Sequence, residues 1–464
     1  MTGKKTWLFA TAFVASMIGA AAPAYADTTD DLLLRLKAKG ILTEEEYQAL
    51  AQRKAEEPTP AVATPAVASA PSSSWLDEMK VVRATDSGVG VQIGSVALKF
   101  SGSINGFYVH DKGDPATPAN AVVGGLATVG PKSSSVRNGL LPGFLKVEAT
   151  TNQGGWDVGA HFGIYPGINS VLTSGGANSG GTPQALATAG IDFRQTYLTF
   201  GKPNFGEVKI GRDIGMFGQE AILNDITLLS VGTAAGNSAP SNTSLGRIGL
   251  GYLYTDFQPQ ITYTSPKLGG FQVAIGAFQP LVTIGNNEVN KTPGFQGKVT
   301  YDFASGGFGG KVWLNGITQK HDGIGTSPSY TGRGFDVGSK LTFGTASLLG
   351  YYYNGSGIGT TGLFILSTDA AGRKRDSDGF YVQGTYGIGK LTIGASYGES
   401  HLDLAKGEVN PTLLDTNSSW VGQLRYGLTD WVTLVGEYVH TRSEAHNGNK
   451  ASSDAIATGA ILFF

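Results

Sequence analysis

Cysteine is absent from the 464-residue sequence, charged residues make up only 15% of it, and beyond the N-terminus no long apolar run occurs. The first absence excludes a disulfide framework and fits an exported protein that avoids unwanted cross-links. The second sets the chain apart from soluble proteins, in which about 25% of residues are charged. The third excludes a bundle of membrane-spanning helices, each of which needs about 20 consecutive apolar residues. A formal net charge of -2 removes the basic face with which a nucleic-acid binder releases phosphate counterions. What is present is glycine, 69 residues of it, with 10% aromatics. Glycine at roughly twice its usual frequency argues against a helical protein, because each interior glycine costs about 1 kcal/mol in a helix. The aromatics supply too much apolar surface for a disordered chain.

Met1 to Ala26 read as a secretory signal, with Lys4 and Lys5 at its charged start, an apolar centre from Trp7 to Ala22, and Ala24-Tyr25-Ala26 before the cleavage point. Residues 27–57 have a helical pattern: Leu32, Leu33, Leu34 and Leu36 precede Gly40, and Thr43 with Glu46 makes a capping box for a second helix carrying Tyr47 and Leu50. Helices this short are marginal alone, so the segment is expected to pack against copies of itself in the periplasm. Residues 58–85 form a linker, Pro/Ala/Ser-rich in its first part (PTPAVATPAVASAPSSS).

From residue 86 the texture changes to short alternating segments, near the ~10 residues with which a tilted strand crosses a bilayer. Leu391, Ile393, Ala395 and Tyr397 share one face of a strand whose other face carries Thr392, Gly394, Ser396 and Gly398. Phe295, Val299, Tyr301 and Phe303 oppose Gln296, Lys298, Thr300 and Asp302, and in Arg247 to Tyr254 the same rule separates Ile248, Leu250, Tyr252 and Tyr254 from Arg247, Gly249 and Gly251. Alternation alone also fits a soluble sandwich. Connection lengths separate the two: about 16 strands between residues 96 and 464 leave long links that alternate with turns of about one to three residues. The expected fold class is therefore all-β, a 16-stranded antiparallel transmembrane β-barrel over 86–464 with a short helical segment before it. One strand, 246–266, is interrupted by Pro259 and is read as a single bulged strand, since splitting it would make the count odd.

The last segment, AIATGAILFF (455–464), ends on Phe464 and looks like the terminal assembly signal of outer-membrane barrels. With PNFGEVKIGRD (203–213), ITYTSPKLGGFQVAIGAF (261–278), LTIGASYG (391–398) and LRYGLTDWVTLVGEY (424–438), the chain resembles the trimeric general-diffusion porins of Gram-negative bacteria. LKAKGILTEEEYQAL (36–50) is similar to the periplasmic helical extension of a subset of them. The resemblance implies a homotrimer set in outer-membrane lipid, passing ions and small hydrophilic solutes, with a third long loop folded inward to narrow the pore. The third long link, 213–245, is the longest of the parse, and its first part, IGMFGQEAILNDITLLS, is apolar enough to pack inside a barrel.

Such porins set basic wall residues against carboxylates on that loop. By local motif Arg194 (FRQTYLTFGK) and Arg247 (GRIGLGY) carry over as wall arginines before and after the loop, and Lys146, opposite the lipid-facing Leu145 and Val147, joins them. Glu220 and Asp225 on the loop, with Asp213 at its base, are the acidic candidates, although the family's Pro-Glu-Phe-Gly-Gly loop motif is missing. The lumen-facing charges nearly cancel once the loop acids are counted, which predicts weak selectivity with at most a slight preference for anions.

No catalytic, metal or cofactor site is expected. Gly394-Ala395-Ser396-Tyr397-Gly398 matches a nucleophile elbow but lies inside an alternating strand. Gly357 to Gly362 fits GxGxxG with no helix after it, and the six histidines lack metal-ligand spacing. The alternative is a substrate-specific porin for sugars or small organic anions, which would line its pore with aromatics or like charges. Trp313 and Tyr381 face the lumen by parity.

Overall fold

The structure, a computed structural model, describes Gln48 and residues 82–84, 89–172, 175–176, 188–234 and 243–464. The chain divides into two units, Met1–Ser72 and Ser73–Phe464. The expected signal (1–26) lies outside the described residues, as do 58–81 of the linker and all of the helical segment 27–57 except Gln48, which is helical.

Among the described residues, sixteen strands of the second unit close into an antiparallel barrel: β1 (Val96–Gly113), β2 (Phe144–Gln153), β3 (Trp156–Leu172), β4 (Thr188–Lys202), β5 (Gly206–Ile214), β6 (Phe257–Thr264), β7 (Phe271–Phe278), β8 (Gly294–Ser305), β9 (Phe308–Gly323), β10 (Tyr330–Phe343), β11 (Ala346–Ser356), β12 (Asp376–Ile388), β13 (Leu391–Leu402), β14 (Leu414–Gly427), β15 (Val432–Ala445) and β16 (Lys450–Phe463). Closure comes from β16 pairing with β1, Phe463 opposite Ser103. Phe464 and Gly102 then exchange backbone hydrogen bonds at 3.1 Å. Full closure leaves no open sheet edge in lipid, where an unpaired peptide group is costly. The outward faces carry exposed apolar residues such as Ile275, Val299, Leu314 and Leu348. Near the short turns, Trp156, Phe205 and Tyr263 touch ring to ring, and so do Phe271, Tyr301, Phe303, Phe308 and Phe343, forming an aromatic girdle at one membrane interface.

One expected strand is corrected. β6 begins at Phe257, not at 246, so the third long connection is 215–256 rather than 213–245. In residues 247–253 both alternating sets are buried, whereas a wall strand would show one of them to lipid. Gly249 (φ 74) and Gly251 (φ 134) adopt the left-handed backbone that bends this stretch inside the barrel. Pro259 stays within β6, opposite Arg212, and its carbonyl accepts the Gln279 N–H at 2.9 Å.

The connection 215–256 enters the lumen, its described residues including a short α-helix, α1 (Gln219–Asn224), and a 3-10 turn, Ile226–Leu229. It meets the wall in an apolar core of Phe217, Tyr252, Leu253, Trp313, Tyr353 and Tyr381, all buried. Trp313 fits because Gly338 stands opposite it on β10: a Cβ there would lie 2.2 Å from the indole ring. One side of the barrel is thus filled with protein.

Candidate functional site

A loop inside a barrel must find partners for its backbone groups, because water is largely excluded from the contact. Wall side chains supply them. Gln296 accepts the N–H groups of Met216 and Phe217 at 2.8 and 2.9 Å, and Asp336 accepts that of Gly218 at 2.9 Å. Gln383 accepts from Ile226 at 2.8 Å and donates to the Asn224 carbonyl at 2.9 Å. Glu437 accepts the N–H of Gly232 at 2.7 Å and the Ser230 hydroxyl, and Gln423 donates to the Ile226 carbonyl at 3.0 Å. Five strands from β8 to β15 therefore hold the loop's backbone, and the loop leans away from β2–β5.

The polar face of α1 meets wall cations. Lys298 on β8 and Lys311 on β9 donate to the two oxygens of Glu220 at 2.9 and 3.0 Å, and Lys340 donates to Asn224 at 3.1 Å. Burial raises the Glu220 pKa, but the two ammonium groups outweigh it and hold the carboxyl below its ordinary value. Ile222 and Leu223 look the other way, into a cavity of about 510 Å³ between the loop and the opposite wall. Its wall side includes Tyr165, Arg194, Gln195 and Phe257, and its loop side Leu223, Leu228 and Leu229. The register of β3 with β4 shifts between Gly163 and Tyr165, next to the stretch of β4 where Arg194 and Gln195, adjacent in sequence, both line the cavity. The guanidinium lies 5.4 Å from the Tyr165 ring centre and 5.8 Å from that of Phe257, and its Nε donates to Asp192 at 2.6 Å.

Toward the short turns, the same wall continues as a polar track. Lys146 pairs with Glu148 at 2.8 Å, and Glu148 also reaches His161 Nδ1 at 2.8 Å. His161 stacks on Tyr197 at 4.5 Å, and Lys209 pairs with Asp213 at 2.5 Å. A cavity of about 760 Å³ lined by Thr150, Asp157, His161, Thr199 and Glu207 opens there.

The six residues expected to form the constriction are thus separated. Arg194 lines the cavity, and Asp213 is joined to it through Gln195, which donates to Asp213 at 2.7 Å. Lys146 lies farther along the track. Glu220 faces the wall lysines rather than the expected arginines. Asp225 is buried and turned into its own loop, accepting from the Thr227 N–H and the Tyr252 hydroxyl, both at 2.9 Å. Arg247 is not a wall residue: it sits in the loop with no exposed surface, donating to the Ser419 hydroxyl at 3.0 Å. Burial pushes its pKa down, and nearby Asp225 pulls it back.

A family model for Gram-negative porins matches residues 59–446. The chain belongs to the Gram-negative porin family. It is accordingly an outer-membrane β-barrel channel for passive diffusion. No curated protein matches it in sequence. Among solved structures it is similar to the outer-membrane channel DcaP of Acinetobacter baumannii, with TM-score 0.59 and 15% identity over 82% of this chain and 99% of that one. It is also similar to OmpT of Vibrio cholerae, with TM-score 0.50 and 13% identity over 80% and 99%. At such identities the likeness is one of fold.

In this porin the residues that sequence reasoning missed are the loop's anchors, Gln296, Gln383 and Gln423. Their signal was available: a glutamine at lumen parity offers a donor and an acceptor on one planar group, which matches a peptide backbone. The apolar aspect of α1 toward the cavity, led by Leu223, was also missed, because the loop's apolar residues were all assigned to packing.

Proposed function

We propose that this porin conducts ions and small hydrophilic solutes with weak charge preference, through the passage between the inward loop and β2–β5. The observation that carries this reading is the local cancellation of lumen charge. Lys146 is matched by Glu148, Arg194 by Asp192, and Lys209 by Asp213. On the loop side three lysines, Lys298, Lys311 and Lys340, meet one carboxylate, Glu220, leaving two excess positive charges. An excess so small favours anions without strongly excluding cations. The protein acts in this reading without catalysis. The test is the zero-current potential of the protein in planar bilayers across a tenfold KCl gradient. A value close to zero, displaced slightly toward the chloride potential, supports the reading, and a value near either ideal ion potential overturns it.

We also propose that the channel works as a homotrimer. Arg212 supports this. It alternates with Lys209 and Asp213, which face the lumen, so it points outward, where it is exposed and has no partner among the described residues. A guanidinium on the lipid face costs up to about 2–4 kcal/mol at the bilayer midplane. The strands around it, β5 to β7, are also the shortest of the barrel, at 9, 8 and 8 residues. A face with an unpaired charge and little height suits contact with another subunit better than contact with acyl chains.

A further inference from the structure

We propose that the aperture at Arg194 binds, and so preferentially admits, small monocarboxylates with an apolar ring or branched body. The acid group would meet Arg194 and the body would lie against Leu223, Leu228 and Ile365. The inference rests on the diffusion-channel reading and names the solute class that this passage favours.

The cavity, at about 510 Å³, is of the size that holds a small organic ligand. Its lining is uneven in a specific way. Polar groups occur on the wall side, where the guanidinium of Arg194 lies beside the paired rings of Tyr165 and Phe257, with Gln195 next to it in sequence. Apart from Thr243 and Ser244 the loop side is largely apolar, because α1 spends its polar groups elsewhere: Gln219 and Glu220 bind Lys298, and Asn224 binds Lys340. Leu223 is left 53% exposed to the passage. A leucine so exposed in a water-filled channel gains free energy from any solute that covers it.

Asp192 shapes the charge side. It takes the Nε edge of Arg194 at 2.6 Å and is not itself part of the cavity lining. The pair is formally neutral, so Coulomb attraction orients an incoming carboxylate more than it holds it. Affinity then comes from the apolar body, which separates benzoate or cyclohexanecarboxylate from acetate of the same charge and from glucose of similar size.

The experiment uses the full-length protein in planar bilayers, with single-channel KCl conductance recorded while benzoate, cyclohexanecarboxylate, acetate or glucose is added. Isothermal titration of the detergent-solubilised protein with the same solutes accompanies it. The expected half-blocking concentration of benzoate is at least about tenfold below that of acetate, with no block by glucose. Leu223→Asn should remove that difference, both in block measured relative to the variant's own KCl conductance and in calorimetric affinity. Arg194→Gln should weaken block by benzoate more than block by uncharged benzyl alcohol. Equal block by benzoate and acetate, or a tenfold difference that survives Leu223→Asn, would overturn the proposal. Calorimetric binding of benzoate to a protein that conducts no KCl would sustain the site and overturn the channel reading. Conduction without calorimetric preference for benzoate would do the reverse.

Discussion

Asp336, midway along β10, accepts the backbone N–H of Gly218 at 2.9 Å, the residue from which α1 starts. Through this bond a wall carboxylate fixes the entry of the loop into the lumen, and Asn315 holds the same carboxylate from β9 at 2.7 Å. Removing it leaves a buried N–H without a partner. Asp336→Ala should weaken the loop's attachment by about 1–3 kcal/mol. The measurement is amide hydrogen exchange at 216–222 in the detergent-solubilised protein, which should rise there while the strands stay protected.

Phe217 is wholly buried between loop and wall. Phe217→Ala removes a ring from a filled space and should cost about 3–5 kcal/mol of packing. Since the barrel's own hydrogen bonds are untouched, the loss should appear as loop motion, read as increased open-channel current noise with the heat resistance of the barrel retained.

Glu220→Gln would leave Lys298 and Lys311 without their carboxylate. The lumen then gains positive charge, and the zero-current potential in a KCl gradient should move toward the chloride value. Lys298→Gln should move it the opposite way. The two shifts should be of similar size and should shrink in high salt, as expected for screened charges.

On the long-loop side, Arg375 and Glu408 tie the connection 357–375 to 403–413 through two hydrogen bonds, 2.5 and 2.9 Å. The hydrogen bonds from Arg375 hold the Glu408 carboxyl down at about 2, from its ordinary 4.5. A depressed acid stabilises this contact between the two connections fully above pH 4.5, and that contribution is lost as the pH falls toward 2. Hydrogen exchange in 403–413 should therefore be slow at pH 7 and accelerate, after correction for intrinsic rates, between pH 4.5 and 2. Arg375→Gln should show the faster exchange already at pH 7.

If Arg212 meets another subunit, Arg212→Glu should lower the temperature at which the oligomer dissociates on semi-native gels, with the monomer still folded as a barrel. A monomeric mass for the unmodified protein by light scattering would contradict the trimer.

Most of the barrel was legible in the sequence because a wall strand must alternate, and alternation survives in single segments such as Leu391 to Glu399. The failure at 246–256 has the same root. Arg247 to Tyr254 alternates in sequence, but alternation reports two environments only when one of them is lipid or water. Here both sets are enclosed, and the turns at Gly249 and Gly251 were not visible as left-handed. The site was less legible than the fold. Arg194 could be found from a local motif, whereas the partners of Glu220, namely Lys298 and Lys311, lie at least 78 residues away and depend on how the loop leans. No local pattern encodes that lean. It follows from glutamines and carboxylates spread over β8 to β15.

The central claim is that solutes pass on the Leu223 side of the loop and not between the loop and β8–β15. A chain without cysteine allows a direct test by single-cysteine labelling during conductance recording. Leu223→Cys places a thiol in the passage, and Ala221→Cys places one on the packed side, where Ala221 has no exposed surface. A bulky cationic methanethiosulfonate should cut the conductance of the first variant by about half or more and leave the second unchanged. Block of the Ala221→Cys channel, or full labelling of Leu223→Cys without loss of conductance, would contradict the account.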